Sequence, residues 1–100
     1  MNIMDMHENV ERVSGLLKSM SNQRRLLILC QLVDGEKSVG EIARSLEMKD
    51  AAASQQLSLL RKDRLVGTRR DGQTIFYSVT QPDVRELIKF LYMQFCEPNN

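Results

Sequence analysis

The stretch from Asp50 to Asp63, DAAASQQLSLLRKD, constrains this 100-residue chain more than any other. Wound as an α-helix of about 3.6 residues per turn, it gathers Ala53, Leu57 and Leu60 on one face and Ala51, Ser54, Gln55, Ser58 and Lys62 on the opposite one. The outer face is small, amide-bearing and cationic. Such a surface suits the DNA major groove, where Gln can pair bidentately with adenine and small side chains let the helix approach closely.

The flanking sequence completes a unit around this helix. Ser38-Val39-Gly40-Glu41 has the spacing of a capping box, so a helix should open there with Ile42, Ala43 and Leu46 facing inward. The reading helix follows after Met48-Lys49, with Asp50 expected as its cap. Downstream, Asp71-Gly72 is a tight-turn signal between Val66–Arg70 and the β-rich Thr74-Ile75-Phe76-Tyr77-Ser78-Val79, which predicts one hairpin. Two short helices, a basic link and a hairpin make a winged helix.

The ends of the chain extend that core. Met6, Val10, Val13, Leu17 and Met20 recur at three- and four-residue spacing and predict a first helix over about Asp5 to Met20. A second helix, capped by Ser21 or Asn22, runs through RRLLILCQLV to the Asp34-Gly35 turn. Its unbroken apolar run from Leu26 to Cys30 predicts a central position. Thr80-Gln81-Pro82 starts a last helix with Val84, Leu87, Ile88, Leu91 and Phe95 as its apolar stripe. The expected fold is therefore mainly α with a small hairpin, in the order α1-α2-α3-α4-β1-β2-α5, as one winged-helix domain over residues 1–100. Two striped terminal helices, about 5–20 and 81–96, exceed what so small a core can cover, which points to a homodimer built from them. A two-fold dimer would set two reading helices on successive major-groove faces and require a near-palindromic operator of double-stranded DNA.

Charge supports this through distribution, not total. The 14 Lys and Arg nearly cancel the 13 Asp and Glu. Between positions 61 and 70, however, Arg61, Lys62, Arg64, Arg69 and Arg70 face only one acid, Asp63, and this basic run lies beside the reading helix. Base-edge contact is assigned to Gln55 and Gln56, with Gln56 at the edge of the outer face and Ser54 and Ser58 near bases or phosphate. Lys62 belongs to the same surface, and Arg69, Arg70 and Thr74 on the wing should meet the backbone or an adjacent minor groove. No apolar run approaches the roughly 20 residues that span a bilayer, and MNIMDMHENVER lacks the order of a secretion signal, so a cytoplasmic location without membrane contact is expected. A thiol-dependent enzyme is disfavoured, because the chain has no Cys-X-X-Cys, no His near either thiol and no glycine-rich phosphate loop, and the amide and cation content of the reading helix argues against a winged helix that only docks another protein.

At this level of detail the chain, over about residues 8 to 97, resembles the ArsR family of bacterial winged-helix regulators. The resemblance rests on Leu17-Lys18-Ser19-Met20-Ser21-Asn22-Gln23-Arg24-Arg25-Leu26-Leu27-Ile28-Leu29, on Ser54-Gln55-Gln56-Leu57, and on Gly72-Gln73-Thr74-Ile75-Phe76-Tyr77-Ser78. Many members sense metals, but the family's Cys-X-Cys pair is replaced here by Ser38-Val39-Gly40-Glu41-Ile42. The last helix has no His, and His7 lies near the N-terminus. Neither a metal nor an organic cofactor is expected. Ile28-Leu29-Cys30, Ser38-Val39-Gly40-Glu41 and Phe95-Cys96 resemble instead the persulfide-sensing branch, the BigR, SqrR and HlyU type. That resemblance implies that reactive sulfur species link Cys30 and Cys96 and lower operator affinity, most simply in a repressor. The HlyU type implies the alternative of an activator that displaces silencing proteins. Taken without the family, Cys30 reads as buried filler, since free Cys is among the most buried residue types. Cys96, nearer a chain end, is expected to be the more exposed thiol and the first to react.

Overall fold

The computed structural model describes residues 1–96. In chain order the elements are α1 (Ile3–Met20), α2 (Gln23–Val33), β1 (Lys37–Ser38), α3 (Val39–Ser45), α4 (Asp50–Lys62), β2 (Val66–Asp71), β3 (Thr74–Val79) and α5 (Pro82–Phe95). All five helices and the hairpin expected from the sequence are present. The sheet has one strand more: β1 pairs antiparallel with the free edge of β3, Lys37 opposite Tyr77 and Ser38 opposite Phe76, giving the order β1-β3-β2.

Local chemistry sets the boundaries. The Asn22 side chain accepts the Arg25 amide and so caps α2, while Ser21 becomes the C-cap of α1. Asn2 caps α1 two residues earlier than expected by accepting the Met4 amide. The capping box of α3 is complete: the Glu41 amide donates to Ser38 Oγ at 3.2 Å and the Ser38 amide to Glu41 Oε1 at 2.9 Å. Asp50 does not cap α4, as the sequence suggested. Lys49 holds that position without a side-chain bond, and Asp50 is the first helical residue, where its carboxylate still faces the positive end of the helix dipole. Both α3 and α4 end in Schellman turns, with Met48 N–H reaching Ala43 O and Leu65 N–H reaching Leu60 O. The left-handed residue is Glu47 (φ 53°) in one and Arg64 (φ 66°) in the other, where glycine is usual.

The core lies between α2, the inner faces of α3, α4 and α5, and the sheet. Ile28, Leu29, Leu32, Ile42, Ala53, Leu57, Leu60 and Val84 have no exposed surface. Helix α2 is central, as its apolar run predicted, but that run is too continuous to be buried all round. Leu27 and Cys30 face outward. Helix α1 reaches the buried interior only near its C-terminal end, through Leu16, Ser19 and Met20, and every residue from 1 to 12 is exposed. Ile3, Met6, Val10 and Leu17 of its apolar stripe, with Phe90, Tyr92, Met93 and Phe95 of α5, therefore form uncovered apolar surface. Among the described residues, no helix is long and apolar enough to cross a membrane.

Candidate nucleic-acid interface and thiol pair

Helix α4 presents its two faces as its sequence requires. Ala53, Leu57 and Leu60 are sealed in the core, while Ala51, Gln55, Ser58 and Lys62 are exposed. Ser54 and Gln56 are half-buried at the margins, so Gln55 is the amide standing clear of the surface. Because the inner face is locked by packing, the outward direction of Gln55 is fixed by the core and not by its own contacts.

The hairpin register separates wing residues that the sequence grouped together. Facing pairs are Thr68 with Tyr77, Arg69 with Phe76, Arg70 with Ile75 and Asp71 with Thr74. Facing residues share one side of a sheet, so Arg69 and Thr74 lie on one side and Arg70 on the other, the side on which Tyr77 and Val79 are buried. The two arginines also differ in engagement. Arg70 curls over the tip, its Nε donating to Gly72 O at 3.0 Å, and Gly72 takes φ 64°, which only glycine adopts without strain. Arg69 is held: Nε and Nη2 donate to both carboxylate oxygens of Glu36, and its guanidinium stacks 4.8 Å from the Phe76 ring centre. The pair keeps the Glu36 carboxyl below its ordinary range. Glu36, in the loop just before β1, is a partner that nothing in the sequence singles out, since it lies 33 positions from Arg69.

Cys30 and Cys96 are both free and exposed. The expectation of a buried Cys30 fails because its position on α2 points away from Ile28, Leu29 and Leu32. Cys30 opens onto a groove of about 470 Å³ between α2 and α5, lined also by Val33, Ile88, Lys89, Tyr92 and Met93. Partial burial pushes the Cys30 thiol above its usual range, and negative charge at Cys96 pushes it further. The two thiols, 66 positions apart in sequence, thus lie on α2 and at the C-cap of α5, close enough for charge on Cys96 to act on Cys30.

A three-stranded wing behind an outward-facing second helix defines a winged helix-turn-helix DNA-binding domain. The family model described as "Bacterial regulatory protein, arsR family" matches residues 22–68, and the chain belongs to that family of transcriptional regulators. Transcriptional activator HlyU of Vibrio cholerae is 44% identical over 99 residues, which span 99% of this chain and 92% of the relative. The biofilm growth-associated repressor of Xylella fastidiosa is 40% identical over 92 residues, 92% of this chain and 81% of the relative. Among solved structures, the Xylella fastidiosa repressor BigR superposes with a TM-score of 0.91 at 39% identity, covering 97% of this chain and 99% of that one. Reduced HlyU from Vibrio cholerae gives 0.87 at 44% identity, covering 93% and 98%. A winged helix-turn-helix domain from Mycobacterium bovis, described as homodimeric, gives 0.76 at 28% identity, covering 94% and 92%.

Proposed function

We propose that this regulator binds a near-palindromic operator as a homodimer formed by α1 and α5. Gln55 reads base edges, and Gln56, Ser54, Ser58 and Lys62 support it from the same helix. Arg70 and Thr74 meet the backbone from the wing, and Arg69 joins them when it leaves Glu36. The observation that carries the reading is the division of α4 into a sealed apolar face and an exposed Gln, Ser and Lys face. The uncovered apolar surface on α1 and α5 and the homodimeric description of the Mycobacterium bovis domain support the dimer. An exposed ion pair such as Arg69–Glu36 is weak and readily exchanged for a phosphate contact. Glu36→Gln is accordingly expected to tighten binding to operator and random duplexes alike by up to about fivefold. An unchanged affinity in filter-binding titrations would take Arg69 out of the interface.

The same chain is proposed to respond to reactive sulfur through Cys30 and Cys96. The Cys96 thiolate takes the outer sulfur of an organic persulfide and releases the organic thiol. Attack by the Cys30 thiolate on Cys96 Sγ then forms the disulfide and expels hydrosulfide; where a second organic persulfide first adds its outer sulfur to the Cys96 persulfide and releases a second organic thiol, Cys30 attacks the middle sulfur, expels hydrosulfide and closes a trisulfide instead. The partial burial of Cys30 supports this order, because the thiolate is the nucleophile and burial disfavours it there. The bridge ties the C-terminal end of α5 to α2, and each tenfold loss of operator affinity needs about 1.4 kcal/mol of preference for one dimer geometry. Repression relieved by the bridge is the main reading. Activation is the second, favoured by the likeness to a transcriptional activator.

The test is mass spectrometry after separate exposure to organic persulfide, peroxide and metal salts, with operator affinity measured on each sample. A Cys30 to Cys96 crosslink on persulfide treatment, forming faster at higher pH and accompanied by at least tenfold weaker binding, is expected. A crosslink that leaves affinity unchanged contradicts the sensing role while sparing DNA binding.

A further inference from the structure

The C-terminal end of the reading helix breaks two local rules in succession. Asp63, the C-cap of α4, places a carboxylate at the negative end of the helix dipole, where a cation is favoured. Arg64 then takes the left-handed conformation at φ 66°, which costs a residue with a Cβ energy that glycine avoids. The groups that satisfy both come from other elements. Ser19, buried near the end of α1 with 8% exposure, donates to Asp63 Oδ2 at 2.6 Å. Gln81, the N-cap of α5, donates through Nε2 to Arg64 O at 2.6 Å. Arg12 of α1 donates to Gln81 Oε1 at 2.7 Å and pairs with Asp83 at 2.7 Å. Helix α1 thus grips the tail of α4 by two routes, one direct and one through Gln81.

Packing holds the end of α1 through Leu16 and Met20 but is incomplete beside the turn after α4. A cavity of about 340 Å³, lined by Gly15 and Leu16 as well as by the polar groups, separates α1 from the turn after α4. With residues 1–12 exposed, α1 has few other attachments to its own protomer. Hydrogen bonds are directional and apolar contact is not, so the polar cluster is what sets the orientation.

We infer that Ser19, Asp63 and Gln81 are positioning residues for DNA binding, forming a joint that fixes the reading helix relative to the dimerising helix and hence the spacing of the two half-sites the dimer accepts. The inference rests on the dimeric regulator proposed above. None of the three needs to touch DNA.

The test uses the full chain and an operator selected by the wild-type protein from a random-sequence duplex pool. Affinities are measured for that operator, for a single half-site duplex, and for operators with one base pair inserted or removed at the centre, which rotates one half-site by about one tenth of a turn. Ser19→Ala, confirmed as a dimer by sedimentation equilibrium, is expected to bind the half-site within twofold of wild type. It should bind the operator about tenfold more weakly and lose most of its preference for the selected spacing. Asp63→Asn keeps an acceptor for Ser19 and should retain that preference. The inference is overturned if Ser19→Ala keeps the wild-type spacing preference, if half-site and operator affinities fall by the same factor, or if the variant dimer dissociates. A wild-type protein that is monomeric or selects no two-part site contradicts instead the dimeric reading beneath it.

Discussion

Val10→Glu should convert the protein to a folded monomer and weaken its operator binding by two orders of magnitude or more. Val10 lies on the α1 stripe with 48% of its surface exposed in the protomer, so the substitution removes nothing from the protomer's own core. In a symmetric pair of subunits, by contrast, it would bury two carboxylates in an apolar seam without partners, a cost neither charge can recover. The effect on DNA follows from avidity. Linking two reading heads gains about 10² to 10⁴ over either alone, and that gain vanishes when the subunits separate. Sedimentation velocity should show one slower species, circular dichroism should show the helices intact, and half-site affinity should stay near wild type. A variant that still sediments as a dimer would place the subunit contact elsewhere.

Leu57→Ala carries the largest expected loss of stability. The side chain has no exposed surface and sits in the same core as Ile28, Leu29 and Ala53. Truncating a fully enclosed Leu removes its transfer free energy and leaves a cavity, together about 2 to 5 kcal/mol, against a total of about 5 to 15 for a domain of ordinary stability. Urea unfolding should show a lower midpoint with little change in slope. Ser58→Ala, one residue on and fully outward, should stay within about 0.5 kcal/mol of wild type. A Leu57→Ala loss below 1 kcal/mol would mean that the inner face of α4 is not packed, and the outward direction of Gln55 would lose its support.

The readings that came directly from sequence were those in which the physics is local or periodic. The two faces of α4 follow from helical spacing alone, and the capping box of α3 from residues three apart. Asp71-Gly72 marked the wing tip one residue early: Asp71 still pairs with Thr74, and the two turn residues are Gly72 and Gln73, of which Gly72 takes the unusual backbone angle. What escaped was non-local. Strand β1 is two residues long, and Lys37-Ser38 has no pattern of its own; it is a strand only because β3 offers an unpaired edge. Five consecutive apolar residues, Leu26 to Cys30, sweep more than a full turn, so some had to face outward, and the sequence could not say that Leu27 and Cys30 were those. Arg69 counted as a free cation until Glu36 appeared across the sheet, and Ser19 carried no signal of its own because its partner lies 44 positions away. In each case the deciding neighbour was one that only the tertiary structure supplies.

Paired titrations of Gln55→Ala and wild type against the selected operator and a random duplex, at several salt concentrations, test most directly whether the outer face of α4 reads sequence. Gln55→Ala should lose about 1 to 3 kcal/mol on the operator, relax preference at one base pair in each half-site, and bind random DNA with unchanged affinity and salt slope. Equal losses on operator and random DNA, or none on either, would contradict that role for the exposed amide of the reading helix.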